Sequence, residues 1–328
     1  MTPSFSNWRS WTWTDYLNYF LSQAAAKKRL KRRGLPPYTK LNKTELWKFC
    51  EPIRQRIASK YHTDTPACSI ILRAFNEEKE LLPTLVSYTE TTVDDRLAEL
   101  IVVDNNSSDN TKRLIEAIGA NYTFCQQQGI GYATKAGVEA SASTAQYVFI
   151  SDADVRMTSP FRTAHQITKS TSLAKAFAYL ENHKQVAAVS TGSTLECSHW
   201  SHQLIRRINA IIKKRAIAYW SGQNQFIRKT VLQASGGINE KVEFGHGEDH
   251  ARQYQLARHC KQHGLELHCG RMVPELVNPV YGSGRRFRNL PLVMLHLVNT
   301  VSQSPRELGD DGFPLFNEDQ PVSKIHVR

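Results

Sequence analysis

The residues best placed for chemistry are two carboxylates in the run Ser151-Asp152-Ala153-Asp154. Four apolar residues precede them, Tyr147-Val148-Phe149-Ile150, a run that suits a buried strand and is too short for a helix. In an open α/β sheet, ligands bind just beyond the carboxyl ends of the strands. Acids at such an end, with no base between them, are costly unless they hold a cation or accept hydrogen bonds. The pattern is short, and by itself it also fits two solvated turn aspartates. A second acidic pair, Glu248-Asp249, follows Gly247 where a helix is expected to open. An acid there also fits a plain partner for the positive end of the helix dipole. His246, His250 and His268 are ligands by type, but lone histidines are more often structural.

The elements that must position these residues begin at Ala67. Residues 68–72 predict a buried strand, and Asn76 in the Arg73-Ala74-Phe75-Asn76-Glu77-Glu78 run that follows is a candidate helix cap. Residues 100–104 predict a second strand, ending in Asp104. The turn Asn105-Asn106-Ser107-Ser108-Asp109-Asn110-Thr111 leads into Leu114, Ile115 and Ile118 at helical spacing, closed by Gly119. Residues 122–125 read as a third strand. Gly129-Ile130-Gly131 then opens a helix of small residues, Ala133, Ala136, Gly137 and Ala140, able to lie close on a sheet or ligand. The strand that leads into Asp152 is the fourth. Strands alternating with helices at this spacing predict an α/β fold with a parallel, doubly wound sheet. Further on, 186–190 reads as a strand, 199–220 as a helix, 221–228 as extended and Gly236-Gly237 as a turn.

The chain has 328 residues, 41% of them hydrophobic, and a net charge of +12. Residues 1–66 hold thirteen Lys/Arg against four Asp/Glu, so the body is near neutral and a nucleic-acid-binding body is not indicated. Residues 1–35 join Trp8, Trp11, Trp13, Tyr16, Tyr19 and Phe20 to the cluster Lys27-Lys28-Arg29-Leu30-Lys31-Arg32-Arg33. That combination suits an anionic membrane surface, and equally a helix packed on the body with a solvated basic end. A second amphipathic stretch, 43–60, carries Leu46, Phe49, Cys50, Ile53 and Ile57, with Pro52 as a possible kink. The six cysteines form no C-x-x-C, and Cys68 and Cys125 read as buried thiols of a reducing compartment. No signal peptide or membrane-spanning run is legible, so the expected location is cytoplasmic, peripheral at the inner face of the membrane if residues 1–35 bind it.

Six pieces in order resemble the family 2 glycosyltransferases of the GT-A fold. They are Arg73 to Glu78 after the first strand; Val103-Asp104-Asn105-Asn106-Ser107-Ser108-Asp109-Asn110-Thr111; Gly129-Ile130-Gly131-Tyr132-Ala133-Thr134-Lys135-Ala136-Gly137; Ser151-Asp152-Ala153-Asp154; Gly236-Gly237-Ile238-Asn239-Glu240; and Gly247-Glu248-Asp249. Each alone is weak, and the set in sequence is specific. The resemblance covers 67–290 and implies a Rossmann-like, mostly parallel GT-A sheet there; outside it, the residues themselves read as a helical extension at 1–66 and a helix and polar tail at 291–328. It implies sugar transfer from a nucleotide-diphosphate sugar to a glycan or lipid-linked acceptor hydroxyl, with inversion. Phe75, Asn76, Glu77, Asp104 and Asn105 would line the donor site with Lys135 and Ala153. Asp152 would touch the ribose, and Asp154 with Asp152 would hold Mg²⁺ or Mn²⁺ on the diphosphate, an oxygen-rich site of few protein ligands. Asp249 matches the family's general base and Glu248 its neighbour. Tyr281-Gly282-Ser283-Gly284-Arg285-Arg286 resembles a loop that closes over the diphosphate. Two positions depart from the pattern: Asn105 replaces a frequent second acid, and Lys135 the usual arginine. Rival readings are a nucleotidyltransferase, which lacks its glycine-rich phosphate loop here, and a membrane-surface protein that binds without catalysis.

Overall fold

The computed structural model describes residues 4–21, 36–91, 98–158, 171–190, 193–195, 224–236, 238, 247–269 and 280–282. Among them, seven strands form one sheet in the order β3-β2-β1-β4-β8-β6-β9. The strands are β1 (Cys68–Ala74), β2 (Ala98–Asp104), β3 (Asn121–Phe124), β4 (Tyr147–Asp152), β6 (Val186–Ser190), β8 (Gln225–Arg228) and β9 (Glu266–Cys269). β5 (Val155–Arg156), β7 (Ser193–Leu195) and β10 (Val280–Gly282) make a small second sheet. The fold is the expected mostly parallel α/β sheet, with one difference. β8 runs antiparallel to both β4 and β6, so the sheet is mixed. A four-residue strand carries no signal of its direction, and mixed sheets are common among large α/β folds.

β1 is buried at every residue and β2 at all but one. Parallel strands covered on both faces read as continuous apolar runs for this reason. One face of the sheet, with Ile70, Leu72, Leu100, Val102 and Phe149, packs on α2 (Lys43–Tyr61), α3 (Leu81–Thr89) and α4 (Thr111–Ile118). The other, with Ile71, Ile101, Val103, Val148 and Ile150, packs on α5 (Ile130–Ala140) and α8 (Gly247–His263). α6 (Ser172–Asn182) and α7 (Lys229–Ala234) complete the layers. Pro52 lies inside α2 without dividing it. α4 ends at Gly119, whose φ of 68° is the left-handed closure the sequence suggests.

Asn76 does not cap the next helix. α3 opens five residues later with Glu80 at its N-cap and no side-chain cap bond. Asn76 sits at φ 55°, and its side-chain oxygen accepts the Ser108 N–H at 2.9 Å instead. Pro83 falls in the first turn of α3, where its missing N–H costs nothing.

The aromatic N-terminal segment packs on the body. α1 (Trp13–Phe20) is held by a capping box between Thr12 and Asp15. Trp8, Tyr16, Leu17 and Phe20 are buried in the same core as β1. Phe49 of α2 is the hub, ringed by Phe5, Trp8, Trp11 and Tyr16, and its carbonyl accepts the Tyr16 hydroxyl at 2.8 Å. Trp13 lies under the Arg56 guanidinium. The basic cluster 27–33 and the stretches 199–220 and 291–328 lie outside the described residues. No described helix is long and apolar enough to cross a membrane.

The contact between α5 and the sheet has no slack at Gly137. A Cβ there would overlap the Ile71 Cγ2 methyl and meet Val103 Cγ2 at 3.0 Å. Gly137→Ala adds ~1 kcal/mol of helix propensity, against ~1–3 kcal/mol for overpacking. Two methyl contacts put the balance on the overpacking side. The variant is expected to melt below wild type by ~2–4 °C per kcal/mol lost. A melting temperature equal to or above wild type in a thermal scan would contradict this.

Candidate active site

β1 and β4 are neighbours in register, with Arg73 opposite Asp152. Side chains alternate along both strands, so these two share the α5 face with Ile71 and Ile150. Arg73 Nε and Nη2 donate to Asp152 Oδ1 at 3.0 and 2.7 Å. Its Nη1 donates to Thr134 Oγ1 on α5 at 3.1 Å, and that hydroxyl donates to the Ile130 carbonyl at 2.8 Å. The turn that follows is pinned to the same strand, since Ala153 N–H donates to the Arg73 carbonyl at 2.9 Å. Asp154 ends this turn at 8% exposure. The pair is therefore not two solvated turn aspartates. One carboxylate faces a buried guanidinium, and the other is held nearly buried at the carboxyl edge of the sheet. Arg73 lies in the first motif, but nothing in sequence joins it to an acid 79 residues away.

β5 begins with the residue after Asp154 and pairs antiparallel with β10, Gly282 against Val155 and Tyr281 against Arg156. This brings the start of the glycine-rich segment beside Asp154. Residues 283–286 lie outside the described ones. Arg156 is fully buried and paired with Glu80 Oε2 at 2.6 Å, which ties this edge to the start of α3.

At the ends of β1 and β2 two loops are laced together. Asn76 N–H donates to Ser107 Oγ (3.0 Å), Glu77 N–H to Thr111 Oγ1 (2.8 Å) and Glu78 N–H to Asp109 Oδ2 (3.1 Å). Glu78 in turn accepts the Asn110 amide at 2.8 Å. Asp104 is buried and accepts the Ser107 N–H at 3.0 Å. Burial first, then the Asp104 carboxylate beside it, pushes the Tyr122 phenol up. Phe75 projects above this network at 41% exposure, a flat apolar face beside buried acids. Asn105 is committed to the loop after β3: its amide donates to the Gln127 carbonyl at 2.5 Å and accepts the Gly129 N–H at 2.7 Å. Gly129, at φ 149°, needs to be glycine to open α5 there.

The structure thus brings Phe75, Asn76, Glu77, Asp104, Asn105, Asp152, Ala153 and Asp154 to one edge of the sheet. Lys135 is half-buried on α5, next to Thr134. Glu248 and Asp249 fall in the first turn of α8, as expected, and their side chains are outside the described ones. Sequence reasoning gave no role to Arg73 and Thr134, nor to Gln225 and Arg252. The last two are buried and joined, Arg252 Nε to Gln225 Oε1 at 2.7 Å, tying α8 to β8. His268 is engaged by the Tyr179 hydroxyl and by Glu266, each at 2.8 Å. No cluster of three or more His, Cys, Asp or Glu suited to a metal occurs among the described residues. Cys50, Cys68, Cys125 and Cys260 are free and buried. Burial pushes the Cys50 thiol up to about 12 and Cys260 up to about 11, so neither serves as a nucleophile. An apolar cavity of about 340 Å³ lies at the opposite end of the strands, where Cys68 and Ala98 begin β1 and β2.

The Arg73–Asp152 pair is a testable unit. Breaking a fully buried pair costs ~3–5 kcal/mol. The Asp152 side chain keeps 27% of its exposure, so Arg73→Met is expected to cost ~2–3 kcal/mol. In a denaturation cycle with Asp152→Asn, the double variant should lose less than the two singles together, with a coupling of ~1–3 kcal/mol. Strictly additive losses would show that the two charges do not support each other.

The model of glycosyl transferase family 2 matches residues 69–234, half of the chain. No curated protein sequence matches it. Among solved structures, the chain is similar to glucosyl-3-phosphoglycerate synthase from Mycobacterium tuberculosis in complex with phosphoglyceric acid. The identity is 16% over 77% of this chain and 83% of that one, with a TM-score of 0.48. The same synthase with Mn²⁺, uridine diphosphate and glucosyl-3-phosphoglycerate matches at 17% identity over the same shares, with a TM-score of 0.47. Residues 1–349 of TarS from S. aureus match at 13% identity over 71% of this chain and 65% of that one, with a TM-score of 0.48. The matched residues hold β1 to β4, both acids and the buried arginine that faces the first of them, and the chain belongs to glycosyl transferase family 2.

Proposed function

We propose that this glycosyltransferase moves a sugar from a nucleotide-diphosphate sugar to an acceptor hydroxyl on a glycan or lipid-linked molecule, with inversion. The observation that carries the reading is the pair of acids at the end of β4, one held by Arg73 and one nearly buried beyond it. The exposed Phe75 ring offers a stacking face for the base, above buried Asp104. Asp152, its Oδ1 held by Arg73, is oriented to accept hydrogen bonds from the ribose. Asp154 would hold Mg²⁺ or Mn²⁺. Carboxylate oxygens suit these hard cations, and a nearly buried carboxylate at a sheet edge is stabilised by one. Such an ion, when bound, supplies charge stabilisation to the leaving diphosphate. Lys135 adds a positive charge on the neighbouring helix. Asp249, in the first turn of α8, takes the proton from the acceptor hydroxyl as it attacks the anomeric carbon. Glu248 orients it.

Two variants test the reading. Asp154→Asn should abolish metal-dependent donor hydrolysis while the protein still folds. Activity that persists in EDTA would remove the metal from the account. Asp249→Asn should lower kcat by ~10²–10⁴-fold and leave donor affinity in place, because the diphosphate is gripped elsewhere. Loss of donor binding in that variant would make Asp249 a structural cap instead.

A peripheral membrane role rests on the basic cluster, because the aromatic residues of 4–21 are engaged in the core. Deleting the segment would strip that core, so the informative change is charge neutralisation. Gln at Lys27, Lys28, Arg29, Lys31, Arg32 and Arg33 should lower binding to anionic vesicles, as should added salt. Equal vesicle binding by this variant would leave the cluster a solvated surface.

A further inference from the structure

Asn224 stands directly before β8, on the side of β4 away from Arg73. The antiparallel register puts Gln225 opposite Ile150, and so Asn224 beside Ser151, the residue before Asp152. Its N–H donates to the Ile150 carbonyl at 3.0 Å, and its Oδ1 accepts the Ser151 hydroxyl at 3.3 Å. The side chain is at 0% exposure, and Nδ2 has no hydrogen-bond partner among the described residues. The backbone is left-handed, at φ 65°. Two costs therefore meet in one residue: a buried donor left unmade and a backbone conformation that favours glycine. Glycine would remove both. Strain and unmet polar groups held together by a rigid surround cluster at binding sites. The surround here is rigid, since the next residue, Gln225, is fixed by Arg252 of α8.

We infer that Asn224 is a donor-contacting residue, whose Nδ2 donates a hydrogen bond to an oxygen of the bound nucleotide-diphosphate sugar. The inference rests on the donor reading given above. Beside two carboxylates, an oxygen-bearing ligand meets mainly acceptors. A neutral N–H at the edge of β4 supplies the missing donor without competing for the acids. The oxygen is a sugar hydroxyl or a diphosphate oxygen, and both need such a donor once water is excluded.

The decisive variant is Asn224→Gly, which suits the backbone and deletes the amide. It relieves the backbone and removes the unmet donor but also takes the acceptor from the buried Ser151 hydroxyl, so it should melt near the wild-type temperature, yet lose about 10- to 100-fold in kcat/KM for the donor. Wild type is first screened with Mn²⁺ against UDP-, GDP- and dTDP-sugars for hydrolysis. The preferred donor and its free nucleoside diphosphate are then titrated into both proteins. Weaker binding of the nucleotide-sugar alone puts Nδ2 on a sugar hydroxyl, and weaker binding of both puts it on the diphosphate; either supports the inference. Unchanged binding and turnover in Asn224→Gly overturns it and leaves the donor reading intact. A wild type that binds none of the donors overturns both. Should Asn224→Gly fail to fold, Asn224→Asp, which keeps the shape and Oδ1 but replaces the donor with an acceptor, must show the same loss, and retained turnover overturns the inference.

Discussion

The Arg73–Asp152 pair constrains the rest of the sheet. A guanidinium and a carboxylate that leave water together are tolerable only while they face each other. Their contact exists only if β1 and β4 are parallel and in register, because a slip of one residue sends Arg73 to the opposite face. The apolar runs of both strands enforce that register, since each alternate residue belongs to one of two distinct cores. Gly137 completes the constraint. It lets α5 come close enough for Thr134 to take the third guanidinium bond. The packing of a helix on a sheet thus fixes the position of one carboxylate oxygen.

The neighbouring loops follow a different logic. Between β1 and α3, and between β2 and α4, there is little apolar surface to bury. Short polar side chains hold the backbones instead, with Asn76 and Asn106 taking left-handed turns. These bonds raise Phe75 into solvent while Asp104 stays buried beneath it. Asn105 belongs to the same scheme. Where an acid would carry charge toward a ligand, the amide spends both its donor and its acceptor on the loop that opens α5.

How much of this was legible in the sequence depended on the range of the interaction. β1, β2, β4 and β6 were readable because strands covered on both faces must be apolar throughout, and Gly119 because a helix end needs its conformation. The place of Asp152 at the end of β4 was readable from the apolar run before it, and that of Asp249 in the first turn of α8 from the helix expected to open there. The partner of Asp152 was not. It is set by strand register across 79 residues, which no local pattern encodes. The direction of β8 and the true start of α3 escaped for a similar reason. Asn76 has the side chain of a helix cap, and a tertiary bond to Ser108 claimed it first. The aromatic N-terminal segment suited two surroundings equally, and only the burial of Trp8, Tyr16 and Phe20 shows that residues 4–21 use their rings on the chain's own core.

The last link joins the two ends of the motif series. β4 carries Asp152 and leads into Asp154, while α8 carries Glu248 and Asp249, almost a hundred residues later. β8 lies between them. It pairs with β4 through Phe149 and Phe226, and it grips α8 through Gln225 and Arg252. Arg252 is buried on α8 and meets β8 there. A buried charge on Arg252 fixes the rotation of α8 more firmly than an apolar residue would, because a turned helix would leave the guanidinium unmet. The antiparallel strand that interrupts the parallel order is thus also the element that ties α8 to β4.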